Sequence, residues 1–401
     1  MNSVGIDVSK GKSTVSVMRP FGEVVAVPFD VNHTVDELQK LANYLKALPG
    51  ETRVVMEYTG RYFEPIANHL CAAGLFVSVV HALRLYNYGK ESIRRVKTDK
   101  ADALKIAGYG LDKWTELTSY TLVDSIRMLL KNYNRQYNHY TKLKVMLKNN
   151  LIALLDQTFP GLNGLFFSKP RKDGHEKWVD FAATFWHCEC VSGLSLRVFS
   201  DRYAKWCART GYRFNAEKAE TIHTYACKSV ATLPKNDAVK RLISLAVGQL
   251  SAIIETLATA HKEMLRLASL LPEYETVMAM RGVGPVLGPQ LMAEIGDVRR
   301  FNHKKSLIAF AGIDAPPFQS GAFESHNRSI SKRGFPALRK TLFQVMAAIL
   351  KTAPDDDDIF QYLDKKRAEG KHYYVCMIAG ANKFLRIYYA RVKEHFHALD
   401  S

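Results

Sequence analysis

The sequence predicts an α/β region at the N-terminus, followed by two mainly helical regions. Residues 1 to about 118 alternate short apolar runs with amphipathic stretches, which indicates strands alternating with helices. Two later stretches place apolar residues at heptad spacing, which indicates long helices. The 401 residues, 47% of them hydrophobic, suffice for two or three domains. We therefore expect domains at about 1–118, 119–270 and 271–401.

The N-terminal region is expected to form a mixed sheet flanked by helices. A hairpin is predicted from residues 4–8 and 13–18, which flank a turn at Gly11-Lys12. Further strands are predicted at 53–56 and 75–80, and helices at 66–73 and 99–109.

The middle region carries two heptad seams. One runs through Ile126, Leu130, Tyr133, Tyr137, Tyr140, Leu147, Leu151 and Leu154, and the other through Ile243, Val247, Leu250, Ile254, Leu257 and Met264. Such helices pair with each other or with another subunit, or they are ordinary amphipathic helices of a globular bundle. Between them lies an insertion at about 158–235, rich in aromatic and basic residues, for which the sequence predicts no fold.

The charge balance indicates a polyanionic partner. Lys and Arg number 56 against 39 acidic residues, a formal net charge of +17, which suits DNA or RNA. A membrane partner is disfavoured, because the best apolar run, 279–295, is interrupted by glycines and prolines. No secretion signal begins the sequence and the six cysteines are scattered, so we expect a cytoplasmic protein.

Four acidic residues stand where a sheet could present them together. Asp7 ends the first apolar run, Glu57 directly follows the run 54–56, and Asp99 and Asp102 share one face of a predicted helix. Carboxylate oxygens bind hard divalent cations, and two such ions can stabilise a phosphoryl displacement. Each residue alone could be a surface or turn residue, so the hypothesis rests on the set.

A glycine turn joins two helical stretches of the C-terminal region. Arg281, Gly282 and Gly284 belong to the segment Met-Arg-Gly-Val-Gly-Pro, which is similar to a helix-hairpin-helix that grips the DNA backbone. The alternative is a plain turn between helices.

A serine-rich segment follows. Ser320 stands before a glycine, and Ser331 is a second hydroxyl downstream. The basic residues Arg328, Lys332, Arg333 and Arg339 are candidates for binding phosphates. From residue type alone, these serines would be ordinary loop residues.

A group of cysteines and histidines occurs in the insertion: His187, Cys188, Cys190, Cys207, His223 and Cys227. Their spacing fits no standard zinc pattern, so buried thiols are the default interpretation and zinc the alternative.

These motifs together resemble the DEDD transposases of the insertion sequence 110 (IS110) family. The resemblance is carried by Gly-Ile-Asp-Val-Ser-Lys at 5–10, Met-Glu-Tyr-Thr-Gly at 56–60, Lys-Thr-Asp-Lys-Ala-Asp-Ala at 97–103, and the segment 281–339. It spans residues 1 to about 118 and about 271 to 350, and it does not extend over the insertion.

The resemblance implies a RuvC-like, ribonuclease-H-like N-terminal domain, a coiled-coil middle and a helical C-terminal transposase domain. It implies that Asp7, Glu57, Asp99 and Asp102 are catalytic and bind Mg²⁺ or Mn²⁺, and that Ser320 is the nucleophile. It further implies donor and target DNA as partners, a noncoding bridge RNA as guide, and a tetramer, as a dimer of dimers, with a composite active site.

Three other functions stay open at this point. A site-specific DNA invertase of the same family would share all the motifs. A structure-specific nuclease of the RuvC type, a junction resolvase, would need the acids but not Ser320. A DNA-binding protein without catalysis is disfavoured by the intact acidic set.

Overall fold

The computed structural model describes residues 1–58, 60–89, 98–122, 124–171, 173–316 and 329–401, together with the backbone of 319–320 and 323–324. The chain divides into two compact units, Met1–Val123 and Asp124–Ser401. Each unit is described by itself below.

The N-terminal unit is built on a five-stranded mixed sheet, which confirms the predicted α/β class. Its strands are β1 (Asn2–Val8), β2 (Lys12–Arg19), β3 (Glu23–Asn32), β4 (Thr52–Glu57) and β5 (Phe76–Val80). Their order is β3-β2-β1-β4-β5, with β2 antiparallel to both of its neighbours and the β1–β4 and β4–β5 pairs parallel. This is the strand order expected of a ribonuclease-H-like domain.

Strand β3 was not predicted from the sequence. It lies at the edge of the sheet, where its pairing with β2 is interrupted by register shifts. It contains Pro28, and Val24 and Val27 are 45% and 76% exposed. An edge strand with proline and exposed apolar residues lacks clean alternation, which is the signal that identifies a strand.

Helices cover both faces of this sheet. They are α1 (Val35–Ala47), α2 (Glu64–Ala72), α3 (Ala82–Tyr88) and α4 (Asp99–Asp112). Val4, Ile6 and Met56 belong to the core shared with α1 and α2, whereas Val55 packs with Ile106 of α4 on the other face. Successive strand residues point to opposite faces, so the odd-numbered residues of β1 face α4.

The middle of the chain forms two long helices, α5 (Ser125–Thr158) and α10 (Asp237–Ser269), which pack against each other. Leu130 and Leu151 of one predicted seam and Leu250 and Ile254 of the other are buried, so both seams are used within one chain. In the described part of the chain, α10 is the one helix that is long and apolar enough to cross a membrane. A core helix of a protein meets the same criteria, so this is weak evidence for a membrane span.

The insertion folds as a helical layer on these two helices. It contains α6 (Lys177–Thr184), α7 (Glu189–Ser192), α8 (Leu196–Thr210) and α9 (Ala216–Lys228). Its buried aromatic residues pack with the apolar residues of α5 and α10 in one core: Phe159, Trp178, Phe181, Phe185, Phe199, Tyr203 and Trp206. The aromatic content noted in the sequence is therefore the core of this layer.

The C-terminal region forms a second core with the beginning of α5 and the end of α10. Its helices are α11 (Tyr274–Met278), α12 (Leu287–Ile295), α13 (Lys304–Ala311), α14 (Pro336–Thr352), α15 (Asp358–Ala368) and α16 (Tyr373–Asp400). Two buried polar contacts join α5 to this region: Arg127 with Glu273, and Asn134 Nδ2 with Glu294 Oε1 at 2.6 Å. Between α13 and α14 lies a hairpin of β6 (Gln319–Ser320) and β7 (Phe323–Glu324).

Candidate active site

The packing of α4 on β1 brings the four predicted acids to one end of the sheet. Ser3 Oγ donates a hydrogen bond to the Ala107 carbonyl at 2.7 Å, and Gly5 lies against Ala103 and Ala107. As β1 proceeds, the contacting residues of α4 therefore move toward its N-terminus. Continued by two residues, the same progression places Asp7 beside the first turn of α4, which carries Asp99 and Asp102.

The remaining acid joins through the pairing of strands. Ile6 of β1 pairs with Met56 of the parallel strand β4, so Asp7 and Glu57 are the next residues on the two neighbouring strands. Asp7 lies two residues after Gly5, and Glu57 lies two residues after Val55. Because side chains alternate between the two faces of a strand, both acids lie on the face that α4 covers. The start of α4 is fixed by Thr98, whose hydroxyl accepts a hydrogen bond from the Ala101 N–H at 3.2 Å.

The electrostatics of Asp7 show that these carboxylates act on one another. Burial is the largest cause that raises its pKa, and the negative charges of Asp102, Asp99 and Glu57 raise it further, to about 6. Burial and like charges are thus the leading influences on this pKa among the described residues. Asp7 is a half-buried carboxylate that is repelled by three others.

The donor set suits a hard divalent cation. Four carboxylates offer the oxygen ligands that Mg²⁺ and Mn²⁺ prefer, and a bound cation would remove the repulsion that raises the Asp7 pKa. Across the residues with described side chains, no three acidic, imidazole or thiolate groups are close enough to enclose an ion. The four acids are therefore near enough for their charges to interact, but they do not form a closed coordination shell in this structure.

The glycine turn of the C-terminal region lies between α11 and α12. Gly282 has a φ of +75°, and a Cβ there would come within 2.5 Å of Ile349 on α14, so both conformation and packing require glycine. Gly284 has open space around it. Arg281, predicted to contact DNA, donates to Asp356 Oδ2 at 2.8 Å, and both side chains are largely exposed.

The two candidate serines differ in their surroundings. Ser320 ends β6 and its backbone pairs with Phe323, while its side chain and all of Arg328 lie outside the described residues. Ser331 is half-buried, and its hydroxyl donates to Asp314 Oδ1 at 2.5 Å while its N–H donates to the Asp314 carbonyl. These two bonds hold the Ser331 segment against the segment that follows α13.

The other predicted phosphate-binding residues lie close to Ser331 in the chain. Lys332 and Arg333 are exposed, and Lys332 has a φ of +53° with its N–H bound to the Gly312 carbonyl. Arg339 is half-buried on α14, and its Nη1 donates to the Ala311 carbonyl at 3.0 Å. Part of the Arg339 guanidinium is therefore committed to the fold, whereas Lys332 and Arg333 present their charges to solvent.

Comparison with known families agrees with these motifs. A transposase model of the DEDD IS110 type matches residues 4–160, and the model described as "Transposase IS116/IS110/IS902 family" matches residues 274–361. The chain belongs to the IS110 family of transposases. This confirms the resemblance drawn from the sequence and makes the chain a DNA transposase or recombinase.

Relatives of this IS110-family protein include both insertion elements and an invertase. An insertion element IS116 protein of Streptomyces clavuligerus is 24% identical over 98% of this chain and 94% of its own length. The pilin gene-inverting protein of Moraxella bovis is 21% identical over 85% of this chain and 80% of its own. The RuvC structure of Thermus thermophilus is 16% identical, with a TM-score of 0.24, over 30% of this chain and 100% of RuvC.

The cysteine and histidine group of this transposase serves the fold of the insertion. His187 Nε2 contacts the Leu233 carbonyl at 3.0 Å, and His223 Nε2 contacts the Leu194 carbonyl at 2.8 Å. Cys188 and Cys207 are buried, and burial raises the pKa of both thiols. In the described residues these side chains do not converge on a common metal position.

Sequence reasoning missed Gly5 and Asp356. Gly5 allows α4 to approach β1, since a Cβ at that position would lie 2.1 Å from the Ala103 carbonyl oxygen. A glycine inside a strand marks a close backbone approach, so the sequence did contain this signal. Asp356 belongs to a run of four aspartates, whose pairing with Arg281 has no signature in local sequence.

Proposed function

We propose that this transposase cuts and rejoins DNA strands to move an insertion sequence, using Asp7, Glu57, Asp99 and Asp102 as the catalytic acids. The observation that supports this most strongly is the electrostatic coupling of Asp7 to the other three carboxylates. Acids that repel one another at the end of a sheet cost stability, and perturbed carboxylates of this kind concentrate at functional sites.

The four acids would hold Mg²⁺ or Mn²⁺. The bound ion would supply positive charge to a phosphodiester whose negative charge increases during displacement. The protein's own contribution is to fix the carboxylates on two strand ends and one helix start. Because these elements are tied together by the core of the N-terminal unit, the acids are positioned before DNA binds.

Ser320 is the proposed nucleophile. Its Oγ forms a bond to phosphorus while one bond from phosphorus to a deoxyribose oxygen breaks, and the serine proton is lost as the leaving oxygen gains one. The product is a phosphoserine that keeps the strand attached to the enzyme. Rejoining is the reverse attack by a deoxyribose hydroxyl, which restores the serine. One phosphate ester replaces another at each step, so no external energy source is required.

The acids and Ser320 belong to different compact units, so an active site that uses both draws on both units, from one chain or from two. We propose a homo-oligomer, a dimer of dimers, in which the acids of one subunit act with Ser320 of another. The predicted seam of α5 and α10 is largely used inside one chain, so charges placed at Leu250 or Ile254 would disrupt the monomer core. Oligomerisation is therefore better tested through the composite site itself.

Donor and target DNA are the proposed substrates, with a noncoding bridge RNA as guide. The net charge of +17 supports a large polyanionic partner. Lys332, Arg333 and the turn at Arg281, Gly282 and Gly284 are proposed to contact DNA backbone, together with Arg328 and the free part of Arg339.

Complementation between two inactive variants tests the acids, the serine and the composite site together. Asp7→Asn and Ser320→Ala should each abolish strand exchange and the covalent protein–DNA adduct, and a mixture of the two proteins should restore both in part. The assay uses purified protein, donor and target plasmids, Mg²⁺ and RNA transcribed from the flanks of the gene. Ser331→Ala is the matched serine control and should still form the adduct.

Other outcomes would contradict parts of the proposal. Restoration is impossible if each site is formed within one chain, so an inactive mixture would reject the composite site. An adduct formed by Ser320→Ala would move the nucleophile to Ser331 or another hydroxyl. DNA cleavage without any adduct would favour attack by water, as in a junction resolvase.

DNA inversion is the second candidate function. It is favoured by the similarity to the pilin gene-inverting protein over 85% of this chain. A plasmid that carries two inverted sites would distinguish the two, because an invertase reverses the segment between them, whereas a transposase delivers its element to a separate target plasmid.

A further inference from the structure

The insertion contains a groove that the proposed catalysis does not use. Residues 161–273 lie between the segments matched by the two family models, so family membership assigns them no role. The groove has a volume of about 560 Å³ and runs along α8 and the segment around α7. This volume falls within the range of about 300–1,000 Å³ that is usual for ligand clefts.

The rim of this insertion groove is strongly basic. Arg202, Lys205 and Arg209 line it from α8, and Lys235 lines it from the segment before α10. The first three lie at helical spacings of three and four residues, which puts them on one face of α8. All four are exposed, and Glu189 is the one carboxylate among the lining residues of the described chain.

The α8 cations are available to a ligand. In the described structure, Arg202, Lys205 and Arg209 make no ion pair or side-chain hydrogen bond, whereas Lys235 Nζ donates to the Glu189 carbonyl at 3.3 Å. Three adjacent like charges repel one another on an isolated protein, and an anionic ligand would relieve that repulsion.

The floor of the insertion groove is apolar. Phe185 and Trp206 line it as largely buried rings, and Leu194 lines it as a partly buried side chain. The indole N–H of Trp206 is buried without a hydrogen-bond partner among the described residues.

We propose that this groove binds a single strand of nucleic acid, with phosphates on the Arg202, Lys205 and Arg209 rim and an unpaired base over the apolar floor. A positively charged groove that tracks the phosphates is a usual feature of proteins that hold unpaired strands, and the apolar floor offers cover to a base. A duplex keeps its bases paired inside, so it could use the rim but not the floor. RNA and DNA strands share this chemistry, and the experiment separates them.

The test compares two charge-matched double variants of the full chain. Arg202→Glu with Arg209→Glu alters the groove, and Arg197→Glu with Lys228→Glu makes the same charge change on α8 and α9 outside it. Binding is measured by fluorescence anisotropy with labelled 15-nucleotide RNA and DNA strands and a 15-base-pair DNA duplex. Far-ultraviolet circular dichroism and thermal melting establish that both variants fold like the wild type.

The groove variant should lose about tenfold or more in affinity for a single strand, while the control variant stays within about twofold. The slope of log affinity against log salt should fall by about 1.4, since each phosphate contact on a single strand contributes roughly 0.7. The strand type that shows this loss, RNA or DNA, identifies the ligand. Duplex affinity should fall less in the groove variant than single-strand affinity does, because a duplex loses rim contacts only.

Three results would overturn the proposal: no loss of strand affinity, an equal loss in the control, or an equal loss for the duplex. The measurement does not involve the catalytic acids. Strand binding is measured without strand cleavage, so failure of the groove proposal is distinguishable from failure of the proposed catalysis.

Discussion

Asp7 in the N-terminal unit and Glu273 in the second unit are two shielded carboxylates with opposite surroundings. Asp7 faces three other acids, and its pKa is raised to about 6. Glu273 is 1% exposed and is paired with Arg127, which is 5% exposed, through two hydrogen bonds; the bond between Nη2 and Oε2 measures 2.9 Å. Asp7 is thus repelled by like charges, whereas Glu273 is neutralised by an opposite charge in a core.

This difference indicates that the Asp7 carboxylate serves function, whereas the Glu273 carboxylate serves stability. A buried charge that serves stability is paired, because an isolated one would cost several kcal/mol. A cluster of like charges lowers stability and persists where a ligand supplies the missing charge. The two carboxylates should therefore respond in opposite ways when their charge is removed.

The largest expected effect is on catalysis by the cluster of four acids. Asp102→Asn should lower DNA strand cleavage by about 1,000-fold, because losing several kcal/mol of metal-assisted stabilisation corresponds to about three factors of ten. Asp30→Asn, on β3 of the same unit, is the matched control, and its rate should be unchanged. The rate is measured on labelled DNA at saturating Mg²⁺. An active Asp102→Asn protein would remove that residue from the site.

The next effect is on the paired charge. Glu273→Ala leaves Arg127 buried with Asp124 as its remaining ion-pair partner in the described structure, and it should lower the free energy of unfolding by about 3–5 kcal/mol. Urea denaturation followed by circular dichroism measures this change. Glu263→Ala, which breaks an exposed pair with Arg266 on α10, is the control and should leave the transition midpoint unchanged. If Glu273→Ala changes the free energy of unfolding only slightly, the Arg127–Glu273 pair does not stabilise the core, and the contrast with Asp7 is wrong.

Removing the Asp7 charge should stabilise the metal-free protein. A shift of the pKa from 3.8 to about 6 corresponds to at most roughly 3 kcal/mol, and solvent screening of this half-buried group reduces the expected gain for Asp7→Asn to about 1 kcal/mol. The gain should be measured above pH 7 in EDTA. Added Mg²⁺ should stabilise the wild type more than the variant.

The pH dependence follows from the same shift. The folded chain binds a proton at Asp7 more tightly than the unfolded chain, so the contribution of Asp7 to stability becomes more favourable as the pH falls through about 6 and levels off below 3.8. The difference between wild type and Asp7→Asn should therefore shrink from pH 7.5 to pH 5. A difference that does not change with pH would contradict the coupling.

The smallest effect concerns an exposed pair in the second unit. Arg281→Ala should weaken duplex DNA binding by a few-fold and lower the salt slope by about 0.9, the contribution of one phosphate contact. Asp356→Asn should strengthen binding, because it frees Arg281 from its partner. Filter binding at several salt concentrations measures both. If neither variant alters binding, the glycine turn is a plain connection between helices.

More of the N-terminal unit than of the second unit could be predicted from the sequence. In the N-terminal unit the four candidate acids were predicted from their positions at strand ends and in a helix, because strand alternation and helical spacing are local properties. In the second unit the heptad spacing correctly indicated buried faces of α5 and α10. It could not choose between a partner in the same chain and one in another subunit, since spacing describes a face and not what covers it.

The sequence by itself determined the α/β class of the N-terminal region, the basic charge and the family, and it supplied the four candidate acids. These depend on residue type and local order. Only the tertiary structure decided that α4 lies on β1 with its first turn beside Asp7, that the insertion has an aromatic core with a basic groove along α8, and that Asp356 pairs with Arg281. Each of these joins residues far apart in the chain, and the packing that selects such contacts depends on the shape of the whole fold.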